Sequence, residues 1–222
     1  MTRQRVALSW SSGKDSAWTL HRLRQDSGIE VAALVTTVNA EFNRVAMHAV
    51  RQELLHAQAE AAGLPLIEVP IPYPCSNAEY ESRMRALIER LHGERIERMV
   101  FGDLYLADIR AYREKQLQDT GITPLFPLWN EPTAALARSM IAGGLRAVLT
   151  CVDPKQLAPE FCGRHFDAAL LDALPAGVDP CGENGEFHSF ACAGPMFRAP
   201  IAVETGETVE RDGFVFTDLC RT

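Results

Sequence analysis

Residues 5–20 read RVALSWSSGKDSAWTL and join an apolar run, a short polar turn and the start of a helical pattern. The apolar run at 5–10 has the composition of a buried strand. A short turn of serine and glycine follows, and a helical pattern then covers about residues 16–27, with Asp15 or Ser16 as its starting cap. A strand that turns directly into a helix is the first half of a βαβ unit, so the stretch indicates an α/β protein.

Apolar runs of strand length continue to alternate with helical segments up to about residue 152. Strands are predicted near 5–10, 31–38, 66–71, 98–102, 123–128 and 146–152, and helices near 16–27, 46–62, 77–91, 109–119, 132–142 and 165–173. We therefore predict an α/β fold with a doubly wound, mainly parallel sheet of five or six strands. Frequent prolines interrupt the chain after that, so we expect one domain at 1–152 and a smaller C-terminal lobe at 153–222. Within the lobe, Asp212-Gly213 predicts a hairpin turn.

Composition and charge exclude several classes of protein. The 222 residues carry a formal net charge of -7 without a block of Lys and Arg, so bulk binding of RNA or DNA is not expected. No uninterrupted apolar stretch reaches the roughly 18 residues that a membrane helix needs, and no secretory signal segment is visible. The six cysteines are scattered without a Cys-x-x-Cys pair, which favours reduced thiols and a cytoplasmic protein.

The turn at residues 11–16, SSGKDS, has the features of an anion site. The N-terminus of a helix offers unpaired backbone N–H groups and the positive end of the helix dipole. Gly13 lets the backbone approach phosphate oxygens closely, and Lys14 adds a mobile positive charge. Asp15 suits such a site if a magnesium ion lies between it and the phosphates. The hydroxyl groups that can donate hydrogen bonds are those of Ser11, Ser12 and Ser16.

The spacing of this turn separates it from other phosphate loops. It lacks the first glycine and the Gly-Lys-Ser ending of a Walker A loop, and it lacks the three spaced glycines of a dinucleotide-binding turn. It does fit the Ser-x-Gly-x-Asp-Ser loop of the N-type ATP pyrophosphatases, which cleave ATP between the α and β phosphates. The alternative is a serine-rich turn that only caps an ordinary helix.

Over nearly its full length the chain resembles the diphthine-ammonia ligases and their microbial relatives, a branch of the adenine nucleotide alpha-hydrolase-like (HUP) proteins. The matching stretches are 11–16, 36–39 with 44–48, 102–104 through 108–114, 127–129, and 181–188. The resemblance implies that ATP is used to adenylate a carboxylate, which then receives ammonia while AMP and pyrophosphate are released; Mg²⁺ is expected from Asp15 in the loop. The acceptor, a protein or a small molecule, is left open, as is a homodimer. Residues 1–152 would bind the nucleotide and 153–222 the substrate.

Further candidates stand at the carboxyl ends of the predicted strands, where α/β proteins collect their ligands. Strand two ends in candidates for the nucleotide: Thr36, Thr37 and Asn39. Gly102 and Asp103 end strand four, and Asp103 is expected to hold magnesium together with Asp15 or to contact the nucleotide. The substrate candidates in this part of the chain are His48, Arg110 and Arg113. For the arginines the alternative is an ion-pair cluster on a helix surface, and for His48 a hydrogen-bonded residue at a helix start.

The stretch CGENGEFH at 181–188 is the second strong signal. Its two glycines indicate a tight loop whose carboxylates face a ligand and can hold ammonium, orient an amine or take a proton. The substrate-binding candidates here are Cys181, Gly182, Glu183, Glu186 and His188. The catalytic candidates of the whole chain are Lys14, Asp15, Glu183 and Glu186. Two alternatives are a structural loop and a metal shared by Glu186 and His188.

Three functions compete on these residues. The first is the AMP-forming amide ligase, an ATP-dependent carbon-nitrogen ligase. The second is ATP-dependent tRNA thiolation or another adenylating reaction of this loop, for which a pair of thiols near the nucleotide is expected. The third is a module that binds ATP without turning it over.

Overall fold

The computed structural model of the chain describes residues 3–39, 44–45 and 50–222. The ten strands are β1 (Gln4–Ser9), β2 (Ile29–Asn39), β3 (Arg44–Val45), β4 (Leu66–Ile71), β5 (Arg98–Val100), β6 (Thr123–Leu125), β7 (Arg146–Val152), β8 (Phe187–Ala193), β9 (Val203–Arg211) and β10 (Phe214–Arg221), counted over these described residues. The α-helices within the same ranges are α1 (Lys14–Gln25), α2 (Gln52–Ala62), α3 (Asn77–Gly93), α4 (Ala107–Leu117), α5 (Thr133–Ala142) and α6 (Ala168–Ala173).

The first sheet confirms the predicted α/β fold. In the described part of the chain, five parallel strands pair in the order β4-β2-β1-β5-β6, and the short β3 pairs antiparallel with β2. Both faces of this sheet are covered, as parallel strands require. Along β1, Val6 and Leu8 belong to one hydrophobic core, and Ala7 between them belongs to the core on the opposite face. The alternation shows a sheet wound with helices on both sides.

The second sheet is antiparallel and corrects one prediction. The segment 146–152 forms a strand, but as β7 it pairs antiparallel with β8 and β10 and is not a sixth parallel strand of the first sheet. A strand buried on both faces reads as an apolar run in either kind of sheet, so composition does not identify its partners. The division of the chain at residue 152 stays a prediction.

Of the two local predictions for a turn and a helix start, one is confirmed and one is wrong. The predicted hairpin is confirmed, because β9 and β10 are joined by Asp212 and Gly213 with φ of 53° and 80°, both in the left-handed region that such a turn needs. The predicted cap of α1 is wrong: the helix begins one residue before Asp15, with Gly13 as its N-cap and without a side-chain cap. Ser16 lies inside the first turn, and its hydroxyl donates back to the carbonyl of Gly13 at 3.0 Å.

The predicted helix near 46–62 is observed from Gln52 to Ala62. His48 lies outside the described residues. Among the residues that the structure describes, no helix is both long enough and apolar enough to cross a membrane.

Candidate functional site

The turn between β1 and α1 is a strained, buried loop. Ser12 has a φ of 68°, which is unusual for a residue with a Cβ, and its hydroxyl is buried without a hydrogen-bond partner. The second sheet supports this loop, because the backbone N–H of Ala191 donates to the Ser12 carbonyl at 2.9 Å and the N–H of Lys14 donates to the Ser189 hydroxyl at 3.3 Å. The loop is therefore held open by β8, which is more than 170 residues away in sequence.

Lys14 forms a buried ion pair with Asp15. The sequence-based prediction that it is a mobile charge is therefore wrong. Only 2% of the residue is exposed, and its Nζ donates to Asp15 Oδ2 at 2.9 Å and to the carbonyl of Cys181. The ring of Phe187 lies 5.4 Å from the same nitrogen. Burial lowers the pKa of Lys14, but the attraction of nearby groups, Asp15 first among them, together outweighs burial, so the pKa lies above its usual value. The charged ammonium thus ties the loop to the 181–188 motif.

Two carboxyl groups, one in the first turn of α1 and one just after β5, have oxygens that no protein group satisfies. Asp15 Oδ1 is buried without a hydrogen-bond partner, and so is Asp103 Oδ2. The nearest cation to Asp103 is Arg113, whose Nε lies 3.6 Å from Oδ2, too far for a hydrogen bond. Burial raises the pKa of Asp103, with a further small increase from the Asp15 charge, while Arg113 lowers it. Unsatisfied buried oxygens are costly, so they mark a position for a ligand.

Gly102, which follows β5, lets the chain pass close to the first turn of α1. A Cβ built at Gly102 would lie 3.1 Å from the carbonyl carbon of Asp15, 3.2 Å from its oxygen and 3.1 Å from Thr19 Oγ1. Replacing Gly102 by valine is expected to push the first turn of α1 away and to weaken ATP binding about tenfold or more, since small misplacements in such sites are costly. Calorimetry with α,β-methylene-ATP measures the effect. Gly93→Val is the matched control, because a Cβ there meets nothing within 4 Å; equal affinity in both variants would contradict the prediction.

The 181–188 motif places Glu183 beside the segment that follows β5. Gly182 turns the chain with φ of 67°, and Glu183 Oε1 then accepts a hydrogen bond from the N–H of Leu104 at 2.8 Å. Burial raises the pKa of Glu183 to about 7, with a further contribution from the Asp15 charge. A carboxyl group with this pKa exchanges its proton near neutral pH.

Glu186 is occupied within its own loop. Its carboxylate is buried and accepts from the N–H of Asp179 at 2.9 Å, the N–H of Asn184 at 2.9 Å and the Asn184 side chain at 3.1 Å. These bonds shape the turn that presents Glu183. Among the residues that the structure describes, no three or more His, Cys, Asp or Glu side chains gather as a metal site, and a metal shared by Glu186 and His188 stays an untested alternative.

Cys181 and His188 are both uncharged at neutral pH. Burial raises the pKa of the Cys181 thiol well above its usual range, and the thiol donates to the carbonyl of Thr133 at 3.5 Å. Burial, followed by the Lys14 charge, lowers the pKa of His188 to about 4. Neither group carries a charge next to the loop at pH 7.

A cavity of about 480 Å³ opens beside the loop at the carboxyl ends of the parallel strands. It brings together five of the predicted site residues: Ser11, Thr36, Thr37, Asn39 and Arg113. Arg110 is not among its lining residues; its guanidinium lies 4.8 Å from the ring of Phe126 and 4.7 Å from that of Trp129, and it pairs with Glu114. The cavity is closed from the other side by α3 and α4 through residues that sequence reasoning missed: Tyr80, Met84, Leu87, Tyr112 and Gln116. Helical periodicity predicted those helices but contains no signal for what they face.

The strand order and the loop together define the class of protein. A doubly wound parallel sheet with a Ser-x-Gly-x-Asp-Ser loop between β1 and α1 is an ATP-binding PP-loop protein of the adenine nucleotide alpha-hydrolase-like kind. Within that class, the chain belongs to the diphthamide synthase family. Residues 4–124 match the family described as Diphthamide synthase N-terminal domain, and residues 132–220 match Diphthamide synthase C-terminal domain.

Curated relatives confirm the resemblance seen in the motifs. The chain is 28% identical over 241 residues to the Diphthine-ammonia ligase of Rattus norvegicus, covering 97% of this chain and 88% of the relative. The Homo sapiens protein of the same name is 27% identical over 241 residues, with the same coverage of both chains. The Schizosaccharomyces pombe protein is 25% identical over 221 residues, which are 90% of this chain and 36% of that longer protein.

Proposed function

We propose that this chain is an ATP-dependent amide ligase that adenylates a carboxylate, transfers ammonia to it, and releases AMP and pyrophosphate. The observation that carries the proposal is the meeting of three parts at one sheet edge: the phosphate loop, the unsatisfied carboxyl oxygens of Asp15 and Asp103, and Glu183. The relatives named Diphthine-ammonia ligase support the same reaction class. Diphthine is the acceptor in their names, and for this chain a carboxylate-bearing acceptor is proposed.

The loop is suited to hold the polyphosphate of ATP. The N-terminus of α1 and the hydroxyls of Ser11 and Ser12 provide donors for phosphate oxygens, while the Ser16 hydroxyl donates to the carbonyl of Gly13. The cavity extends from this loop along Thr36, Thr37 and Asn39, and we assign it to the adenosine part of ATP. It is lined mainly by apolar groups with a few polar ones, as nucleotide sites are.

The free carboxyl oxygens fit a magnesium ion. Mg²⁺ prefers hard oxygen ligands and is commonly held by one or two carboxylates together with substrate phosphates. Asp15 Oδ1 and Asp103 Oδ2 are buried and unsatisfied, so they are the residues that would hold it. The ion would neutralise charge that develops on the phosphates.

The proposed reaction has two steps, each with a leaving group, and needs one base. A carboxylate oxygen of the acceptor displaces pyrophosphate from the α-phosphorus, and ammonia then displaces AMP from the acyl carbon. Ammonia arrives mainly as ammonium at neutral pH, and the amide product carries fewer protons, so a base is required. We assign this step to Glu183, because its pKa of about 7 suits a group that takes a proton at neutral pH. The roles of Arg113, Cys181, Gly182 and His188 toward the substrate stay predictions, as do those of His48 and Arg110.

The oligomeric state, the location and the roles of the two parts of the chain are also proposals. A homodimer and a cytoplasmic location remain predictions from sequence, and so does the division of labour between residues 1–152 and 153–222. The thiolation alternative is not favoured. Burial raises the pKa of Cys151 to about 12 and also raises that of Cys181, so neither thiol is a ready thiolate.

The reaction is tested by its products. Supplied with ATP, magnesium, ammonium and a carboxylate acceptor, beginning with diphthine, the chain is expected to release AMP and pyrophosphate in equal amounts. Chromatography of the nucleotides measures this, and a panel of other carboxylates follows if diphthine is inert. Release of ADP and phosphate would contradict the proposal. Pyrophosphate exchange into ATP excludes the module that only binds ATP, and full activity of a Cys151→Ser, Cys181→Ser variant excludes thiolation.

A further inference from the structure

Gln58 on α2 is a buried polar side chain whose hydrogen bonds all lead to the phosphate loop or to its support. The residue is 0% exposed. Its Oε1 accepts from Trp10 Nε1 at 2.9 Å, and its Nε2 donates to the carbonyl of Ser12 at 3.0 Å and to the carbonyl of Ala191 at 2.7 Å. Both amide donors and the acceptor are used, so the group is fixed in one orientation.

These bonds meet at the strained residue of the loop. Ser12, with its φ of 68°, adopts a left-handed conformation that costs free energy in a residue with a Cβ. Its carbonyl accepts two hydrogen bonds, from Gln58 Nε2 and from the N–H of Ala191. Such a conformation persists only where the surroundings determine it, and here an amide from α2 and one from β8 do so together.

Gln58 also joins the two sides of this support. The Ser12 carbonyl receives the N–H of Ala191, and Gln58 donates to the carbonyl of the same Ala191. The three groups form a closed set in which the loop, β8 and α2 fix one another. In contrast, Gln58 is not among the residues that line the cavity, so it has no direct route to a ligand there.

We propose that Gln58 is a positioning residue for ATP: it holds Ser12 in the left-handed conformation that opens the phosphate loop, without touching the nucleotide. This inference depends on the proposed function only in taking ATP as the ligand of the loop. A protein whose binding-competent loop is populated only in part binds its ligand more weakly by that fraction. Loss of Gln58 therefore weakens ATP affinity while the fold remains.

The test compares ATP affinity with stability. In Gln58→Leu, which removes all three hydrogen bonds at similar volume, the Kd for α,β-methylene-ATP with magnesium is expected to rise roughly tenfold or more, measured by calorimetry well below the melting temperature. The control is Ile96→Ala, a fully buried position two residues before β5, at the amino ends of the parallel strands. It is expected to lower the melting temperature and leave the Kd within about twofold of wild type.

The outcomes separate the two proposals. If wild type binds the analogue and Gln58→Leu binds it equally well, Gln58 only fills the core and the positioning role is wrong. If both variants weaken binding to the same extent, general destabilisation explains the effect and the inference also fails. If wild type does not bind the analogue, the proposed function fails at its first step. Should Gln58→Leu not fold, Gln58→Glu makes the same comparison, because it keeps an acceptor for Trp10 and loses both donors.

Discussion

Asp15→Asn is expected to lower the rate of AMP formation by a factor of roughly a thousand, the scale of losing one charge-stabilising group from an active site. The substitution keeps the size of the side chain and removes the negative charge. The unsatisfied Oδ1 would no longer attract a cation, and Asp103 alone would be left to hold it. Two quantities are measured: the rate of AMP release with a carboxylate acceptor found active in the product test, and the Kd for α,β-methylene-ATP with and without magnesium.

A control is needed because Asp15 also pairs with the buried ammonium of Lys14 at 2.9 Å. Removing one partner leaves a buried charge uncompensated, so Asp15→Asn is expected to lose stability as well. The double variant Lys14→Met, Asp15→Asn removes both charges and should regain much of that stability. If it regained wild-type activity too, Asp15 would act only through its ion pair. Asp172→Asn, at an exposed carboxylate on α6, is expected to behave as wild type.

Glu183→Gln is expected to remove the neutral-pH dependence of the reaction and to slow it about a hundredfold or more, the usual contribution of a general base. The wild-type rate should rise as pH increases through about 7, because Glu183 accepts a proton only when ionised and its pKa lies there. His188 does not cause this rise in rate near pH 7, since its pKa of about 4 leaves it neutral from pH 5 to 9. A rate profile from pH 5 to 9, at saturating free ammonia, measures the change.

The same substitution makes a prediction about stability. The folded-state pKa of Glu183 is raised above its usual value, so the folded protein holds a proton that the unfolded chain has released between about pH 4.5 and 7. Wild type therefore loses stability from this group as pH rises through that window, and Glu183→Gln does not. Thermal unfolding at pH 5 and pH 8 tests the sign. Glu207→Gln on the exposed β9 is the control. If Glu183→Gln kept both the rise in rate near pH 7 and the loss of stability with rising pH, Glu183 would not be the base.

Much of the fold was predictable because its signals are local. The strand and helix around residues 11–16 follow from a buried apolar run and a helical period, and the turn at Asp212-Gly213 follows from the backbone conformation that these two residues tolerate. The family was readable from the same loop and from the 181–188 motif. The candidate site could be predicted as far as residue types at strand ends, since the carboxyl ends of parallel strands always meet at one edge.

What sequence reasoning missed depends on partners far along the chain. Lys14 was predicted as mobile, but the carbonyl of Cys181 and the carboxylate of Asp15 hold it in the interior. Glu183 and Glu186 looked equivalent in the motif, yet one faces the strand ends and the other is used by its own loop. No local pattern distinguishes them, because the difference lies in which backbone N–H groups come within hydrogen-bonding distance.

The α/β class and the position of the phosphate loop follow from the sequence alone, since both depend on residues that are close along the chain. The family also follows from the sequence, because its motifs can be recognised one by one without a structure. Three features became visible in the folded chain and not before: β7 joins the antiparallel sheet, β8 and Gln58 support the loop, and Glu183 has a raised pKa. The physical reason is that strand pairing, burial and the dielectric environment of a charge are set by groups that are distant in sequence and close in space.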